Sequence, residues 1–182
     1  LGHGISDVDT GELLSIADGN LYDAQILGIR KGEKGNPGEL SGLIRYEAGN
    51  ILGEISENRK NGIFGTMEAS QLKNMNLEKV PIGYKQDLKT GPASVFCCTD
   101  GEVKEYAAEI TRIDLNHKDS NKSFVIQITD KELLEKTGGI VQGMSGSPVL
   151  QNGKLFGAVT HVFVQDSTSG YGIFIENMMD VA

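Results

Sequence analysis

Asn152-Gly153 sits between two apolar runs, Val149-Leu150-Gln151 before it and Lys154-Leu155-Phe156-Gly157-Ala158-Val159 after it. An Asn-Gly pair in that setting is the strongest short-range signal for a tight hairpin, because the favoured turn needs positive φ at both central residues. Directly upstream stands Gly143-Met144-Ser145-Gly146-Ser147-Pro148. Its glycines allow backbone angles that a Cβ disfavours, so the turn can aim successive N–H groups at one point. The N–H groups of Gly143 and Ser145 would then hold the oxyanion formed when the Ser145 hydroxyl attacks a carbonyl. A glycine-rich connection between two strands accounts for the same residues, and the local pattern leaves both readings open.

The rest of the chain reads as short strands separated by turns. Residues 13–16 and 21–29 bracket Asp18-Gly19-Asn20 as a hairpin, and 49–55 pair with 62–67 around a charged turn. Residues 93–98 and 103–113 form a long hairpin across Asp100-Gly101-Glu102, residues 124–128 are a further strand, and 172–176 a last one. Leu133 to Lys136 reads as a helical turn ending at Gly138-Gly139. Strands at this density predict an all-β barrel or sandwich. With no repeat and no clear linker, residues 1–182 read as one structural unit of two packed sub-barrels, crossing near residues 83–91.

A serine is a weak nucleophile until a neighbouring imidazole takes its proton. Only three histidines are available. His117 lies in the polar turn Asn116-His117-Lys118-Asp119-Ser120-Asn121 and reads as solvated. His161 lies on the strand after the nucleophile hairpin, where a two-barrel protease lines its substrate cleft. Thr160, His161 and Val162 are therefore candidate substrate contacts, although a half-buried structural histidine explains His161 as well. His3, between Gly2 and Gly4, is the best-placed base. A base of this kind needs a carboxylate to fix its tautomer. Asp130 is one candidate, yet the local pattern favours Thr129 or Asp130 as simply the cap of the helix that follows.

Three segments together resemble the SpoIVB peptidases of endospore-forming bacteria. They are Leu1-Gly2-His3-Gly4-Ile5, the run from Thr129-Asp130 through Gly138-Gly139-Ile140-Val141-Gln142-Gly143-Met144-Ser145-Gly146-Ser147-Pro148, and Thr160-His161-Val162-Phe163-Val164. The resemblance implies a chymotrypsin-like double β-barrel and a serine endopeptidase whose triad is His3, Asp130 and Ser145. It also implies autoprocessing, a place between the two membranes of the forespore, and a membrane-bound sporulation regulator as the protein substrate. Cutting that regulator would trigger sigma-factor processing. Family members carry a membrane segment and a PDZ domain ahead of the peptidase domain. This sequence holds neither, and it starts two residues before the histidine that the first barrel strands ordinarily precede. A membrane link is thus expected only through a segment outside this sequence.

The formal charge of −8 argues against non-specific nucleic-acid binding, which needs a basic face. No apolar run approaches the roughly 18 residues of a membrane span. Cys97 and Cys98 are adjacent, so on a strand they point to opposite faces. Two thiols are too few for a structural zinc site, and no cofactor or metal is expected. Lys131 and Lys136 near the site favour acidic substrate residues if they are not simply solvated. The competing readings are a non-catalytic peptide-binding two-barrel domain, an inactive processed fragment, and a hydrolase of small esters.

Overall fold

The structure is a computed structural model in which residues 2–7, 9–16, 18–75 and 77–179 are described. It is all-β in the manner of chymotrypsin-like enzymes. Six strands close a barrel: β6 (Gly91–Cys98), β7 (Val103–Ile113), β8 (Phe124–Ile128), β9 (Pro148–Gln151), β10 (Lys154–Phe163) and β11 (Asp166–Phe174), joined in the order β10-β11-β8-β7-β6-β9. The hairpins expected within this half are present. Asn152 at φ 52° and Gly153 at φ 73° make the turn between β9 and β10, as the Asn-Gly pair requires.

Alternation explains the barrel interior. Along β7, Tyr106, Ala108 and Ile110 are buried while Glu105, Ala107 and Glu109 face out. Val95, Ile126, Ile128, Val149 and Val159 join them, and Leu133, Ile140, Val141 and Met144 pack against the same cluster. Each fully buried apolar side chain of this kind contributes roughly 1.5–3 kcal/mol. Cys97 is buried and Cys98 half-buried, both free thiols, as strand geometry required. Burial first, then the neighbouring Cys98, pushes the Cys97 thiol up to about 11, so it stays a protonated thiol at neutral pH.

The N-terminal half differs from the expected second barrel. Its described residues form two open sheets: β1 (Asn20–Tyr22), β4 (Ile51–Arg59) and β5 (Gly62–Met67) in the order β1-β4-β5, and β2 (Ala24–Arg30) with β3 (Glu39–Ile44). The hairpin expected around residues 18–20 does not form. β1 pairs with β4, and β2 turns back on β3 through the loop at 31–38. The short helix α1 (Ala69–Asn74) follows β5 and was not legible, having neither a capping side chain nor an acidic first turn. At the other end, the expected last strand is β11 only as far as Phe174, after which α3 (Ile175–Met179) begins.

Two seams tie this half to the barrel. The β2–β3 hairpin lies along the loop that leads to Ser145: Leu40 N–H donates to Gln142 O at 2.8 Å and Gln142 N–H to Gly38 O at 2.8 Å. The β4–β5 turn is held at Lys60, whose carbonyl accepts from Asn121 Nδ2 at 2.6 Å.

Candidate active site

The loop that carries Ser145 is fixed at both ends before it reaches the serine. Helix α2 (Lys131–Thr137) starts at Asp130, whose Oδ1 accepts from Leu133 N–H at 3.1 Å. The helix ends at Gly138, in the left-handed region at φ 73°. Ile140 N–H then donates to Ser167 O at 2.7 Å, and the Met144 side chain is almost wholly buried in the barrel mouth. Past the serine, Gly146 N–H donates to Val159 O at 2.8 Å and Val159 N–H to Ser147 O at 3.0 Å. Gly143 at φ 101° and Gly146 at φ 95° supply the angles the sequence pattern anticipated.

Three polar groups are left over by this scaffold. The N–H groups of Gly143 and Ser145 donate to no acceptor among the described residues. Ser145 Oγ is buried and has no hydrogen-bond partner. Gly143 is exposed and Ser145 half-buried, so their N–H groups are open to a ligand, and the buried hydroxyl is the group that strand connection alone leaves unexplained. Two free donors beside a free hydroxyl are what a nucleophile and an oxyanion hole require.

The chain start reaches this place through β10. A Cβ on Gly2 would lie 2.7 Å from Val159 O and 3.0 Å from Thr160 Cγ2, so the backbone there is packed as closely as glycine permits. Val159 O also accepts the Gly146 N–H bond, so one carbonyl touches both the segment leading to His3 and the turn that holds Ser145. His3 Nδ1 lies 2.8 Å from Gly4 O. A carbonyl can only accept, so Nδ1 carries the proton in the neutral ring and Nε2 keeps a free lone pair. The His3 ring stacks on His161, centroids 4.8 Å apart.

No hydrogen bond joins His3, Asp130 and Ser145. The sequence placed Asp130 as the carboxylate that orients His3. Both of its oxygens are instead taken by backbone, Oδ1 by Leu133 N–H and Oδ2 by Ala107 N–H at 3.3 Å. The cap reading of this residue is the one the geometry displays. Thr160 is corrected as well: it is the extra residue of a bulge between β10 and β11, its side chain is buried, and its hydroxyl donates to Asn121 O at 2.7 Å. It faces the interior and not a cleft. The bulge turns His161 outward. His161 and Val162 line a cleft of about 1050 Å³ with His3, Lys60, Asp119 and Tyr171. A second cleft of about 750 Å³ is lined by Phe96, Cys98, Gly146, Ser147 and Pro148 among others. Lys136 is not free for a substrate: it pairs with Asp100 at 2.8 Å and Glu132 at 2.7 Å. Lys131 is exposed. His117 lies in its polar loop, Nδ1 within 3.0 Å of Asp119 O.

The model of the SpoIVB peptidase S55 family matches residues 1–179. The chain belongs to that family. No individually curated protein matches the chain. SpoIVB peptidases are serine peptidases of sporulation, which makes this chain a hydrolase with a protein substrate. In this SpoIVB peptidase no described helix is long and apolar enough to cross a membrane. Its described residues hold no cluster of three or more His, Cys, Asp or Glu side chains able to bind a metal ion.

Burial, and next the charge of His3, push the His161 ring below its ordinary value; Asp119 opposes this and Lys122 adds to it. The unfolded ring titrates near 6.5. A histidine whose folded pKa is depressed binds fewer protons in the folded state, so its contribution is complete above about pH 6.5 and is lost on acidification below it. The expected result is a smaller fall in Tm between pH 7 and pH 5 for His161→Gln than for the wild type, with an imidazole titration of His161 by NMR below that of an unfolded control.

Proposed function

We propose that the chain is a serine endopeptidase in which Ser145 is the nucleophile and His3 the general base. The observation that carries this reading is the meeting of Gly2 and Gly146 on the carbonyl of Val159. Residues some 140 positions apart in sequence thereby share one small region. A substrate strand would lie along β10 past His161 and Val162, with its scissile carbonyl over Ser145. His3 Nε2 takes the Ser145 proton as Oγ bonds to the carbonyl carbon, and the Gly143 and Ser145 N–H groups hold the oxyanion. The protonated imidazole then gives its proton to the leaving amine, and water repeats the sequence on the acyl-enzyme. In the arrangement described, the His3 ring is turned to Gly4 O, so catalysis requires a side-chain rotation towards Ser145.

The third member of the triad rests on the family resemblance, which assigns Asp130. Here Asp130 supports the site through α2, whose C-terminal end leads into the nucleophile loop. Asp130→Asn keeps a capping oxygen and should retain activity within about tenfold. Asp130→Ala should lose about 1 kcal/mol of stability. A loss near 10⁴-fold in kcat for Asp130→Asn, the size seen when a triad carboxylate is neutralised, would restore the orienting role.

Family membership supports the wider reading: one peptidase unit that cuts a membrane-bound sporulation regulator in the space between the forespore membranes, and so triggers sigma-factor processing. A fluorophosphonate probe tests the chemistry. Labelling of the wild type that disappears in Ser145→Ala is expected; no labelling of the wild type would favour the peptide-binding or inactive-fragment reading. Hydrolysis of simple esters without peptide cleavage would favour the small-ester reading.

A further inference from the structure

The cleft that His3 lines carries an uneven set of charges. Three lysines, Lys60, Lys118 and Lys122, and two aspartates, Asp7 and Asp119, line it, in a chain whose formal charge is −8. Both aspartates are already engaged. Asp7 Oδ1 accepts from the Asp9 N–H at 3.1 Å, the Thr10 N–H at 2.8 Å and the Thr10 hydroxyl at 2.9 Å. Asp119 pairs with Lys122 at 3.2 Å, and its Oδ1 accepts from the Asn121 N–H at 3.2 Å. Lys122 is held from a second side, its Nζ 5.8 Å from the centre of the Tyr171 ring. Lys60 and Lys118 remain. Both are exposed, and neither ammonium has an acidic partner among the described residues.

The placement of Lys60 is fixed by its backbone. It stands in the turn between β4 and β5, and its carbonyl accepts from Asn121 Nδ2 at 2.6 Å and from Gly4 N–H at 3.4 Å. The residue after His3 is therefore bonded directly to the residue that carries a free ammonium. Lys118 reaches the same cleft from the loop between β7 and β8. Unmatched like charges in one concave site raise the local potential and draw in a group of opposite sign. We propose that this cleft selects substrates with an acidic side chain a few residues from the scissile bond, and that Lys60 and Lys118 are the specificity-determining residues that receive its carboxylate. This names a substrate class for the peptidase reading and rests on that reading for the chemistry. The lysines that the sequence suggested for such selection are different ones: Lys136 is tied to Asp100 and Glu132, and Lys131 does not line the cleft.

Two readouts on the full chain test it, both with a peptide library in which Glu or Gln is fixed in turn at each position. The first is cleavage. At one position Glu should raise kcat/KM over Gln by about three- to tenfold, the size expected of two partly exposed ion pairs. Lys60→Glu combined with Lys118→Glu should reverse that order, so that Lys at the same position is now preferred, while the Gln peptides are cut at the wild-type rate. Neither side chain bonds to the rest of the fold, so the double variant should also keep the wild-type Tm. Lys131→Gln, outside the cleft, should leave the preference intact. A Glu-to-Gln ratio near one at every position, or a ratio that survives the double charge reversal, overturns the proposal. The second readout needs no catalysis: binding of the same peptides to Ser145→Ala by fluorescence anisotropy. The Glu peptide should bind more tightly by a similar factor, and the difference should shrink as salt is raised from about 0.05 M to about 0.5 M. Equal affinities overturn the proposal whether or not peptides are cut, whereas tighter Glu binding without any cleavage by the wild type would count against the peptidase reading alone.

Discussion

Ser145→Ala is expected to lower kcat for cleavage of a protein substrate by about 10⁶-fold, the loss typical of removing the nucleophile from a unit that acts together. The same substitution should leave the fold untouched, for a reason specific to this site. Ser145 Oγ is buried without a partner, so truncation breaks no hydrogen bond and removes a polar atom that is already unsatisfied. Such an atom costs about 1–3 kcal/mol when it is left unpaired. Tm for Ser145→Ala should therefore equal or slightly exceed that of the wild type, while activity disappears. The loop geometry is set by Met144 in the core and by the bonds of Gly146 and Ser147 to Val159, none of which involves the hydroxyl. Turnover near the wild-type rate by a purified Ser145→Ala protein would remove Ser145 from the chemistry. A large fall in Tm would show that its hydroxyl has a structural partner.

The C-terminal half was legible because its signals are local. Period-two burial along β7, the Asn152-Gly153 turn and the Asp130 to Gly138 helix limits each follow from a few adjacent residues, and each is present as expected. The N-terminal half was less legible because its pairings are decided at a distance. Residues 21–29 have the composition of one hairpin arm, but nothing local says that β1 will join β4 while β2 joins β3. Ile175 and its neighbours continue an apolar run, and only the end of the barrel stops the strand at Phe174. The glycine backbone angles of the turn that carries Ser145 were readable in the same local way. Asn121 was not. In sequence it belongs to a polar loop that looks solvated, and it becomes a buried group only because Lys60 and Thr160, far away in the chain, close over it. Asp130 shows the converse: its local signal as a cap is the task its carboxylate performs, and the longer-range task came from resemblance alone.

Phe124→Ala should be the most damaging core truncation of the barrel, costing about 3–5 kcal/mol. The Phe124 ring is almost wholly buried and packs at a tilt on Phe174, centroids 5.5 Å apart. It also fills space that two neighbouring strands leave open by carrying glycine. A Cβ on Gly172 of β11 would come within 3.0 Å of several Phe124 ring atoms, and one on Gly157 of β10 would lie 3.2 Å from Phe124 Cε1. Little can flow into the gap when the ring is removed, so the cavity term is felt in full. Tm should fall by roughly 6–20 °C for a domain of this size. Gly172→Ala alone should also destabilise, by about 1–3 kcal/mol through overpacking, because the methyl group enters the volume of the ring. The two changes oppose each other in space. Phe124→Ala with Gly172→Ala should therefore cost less than the sum of the single variants, with a coupling of about 0.5–3 kcal/mol. Urea unfolding of the four proteins measures it, and strict additivity would mean that the ring does not occupy the space the glycine leaves.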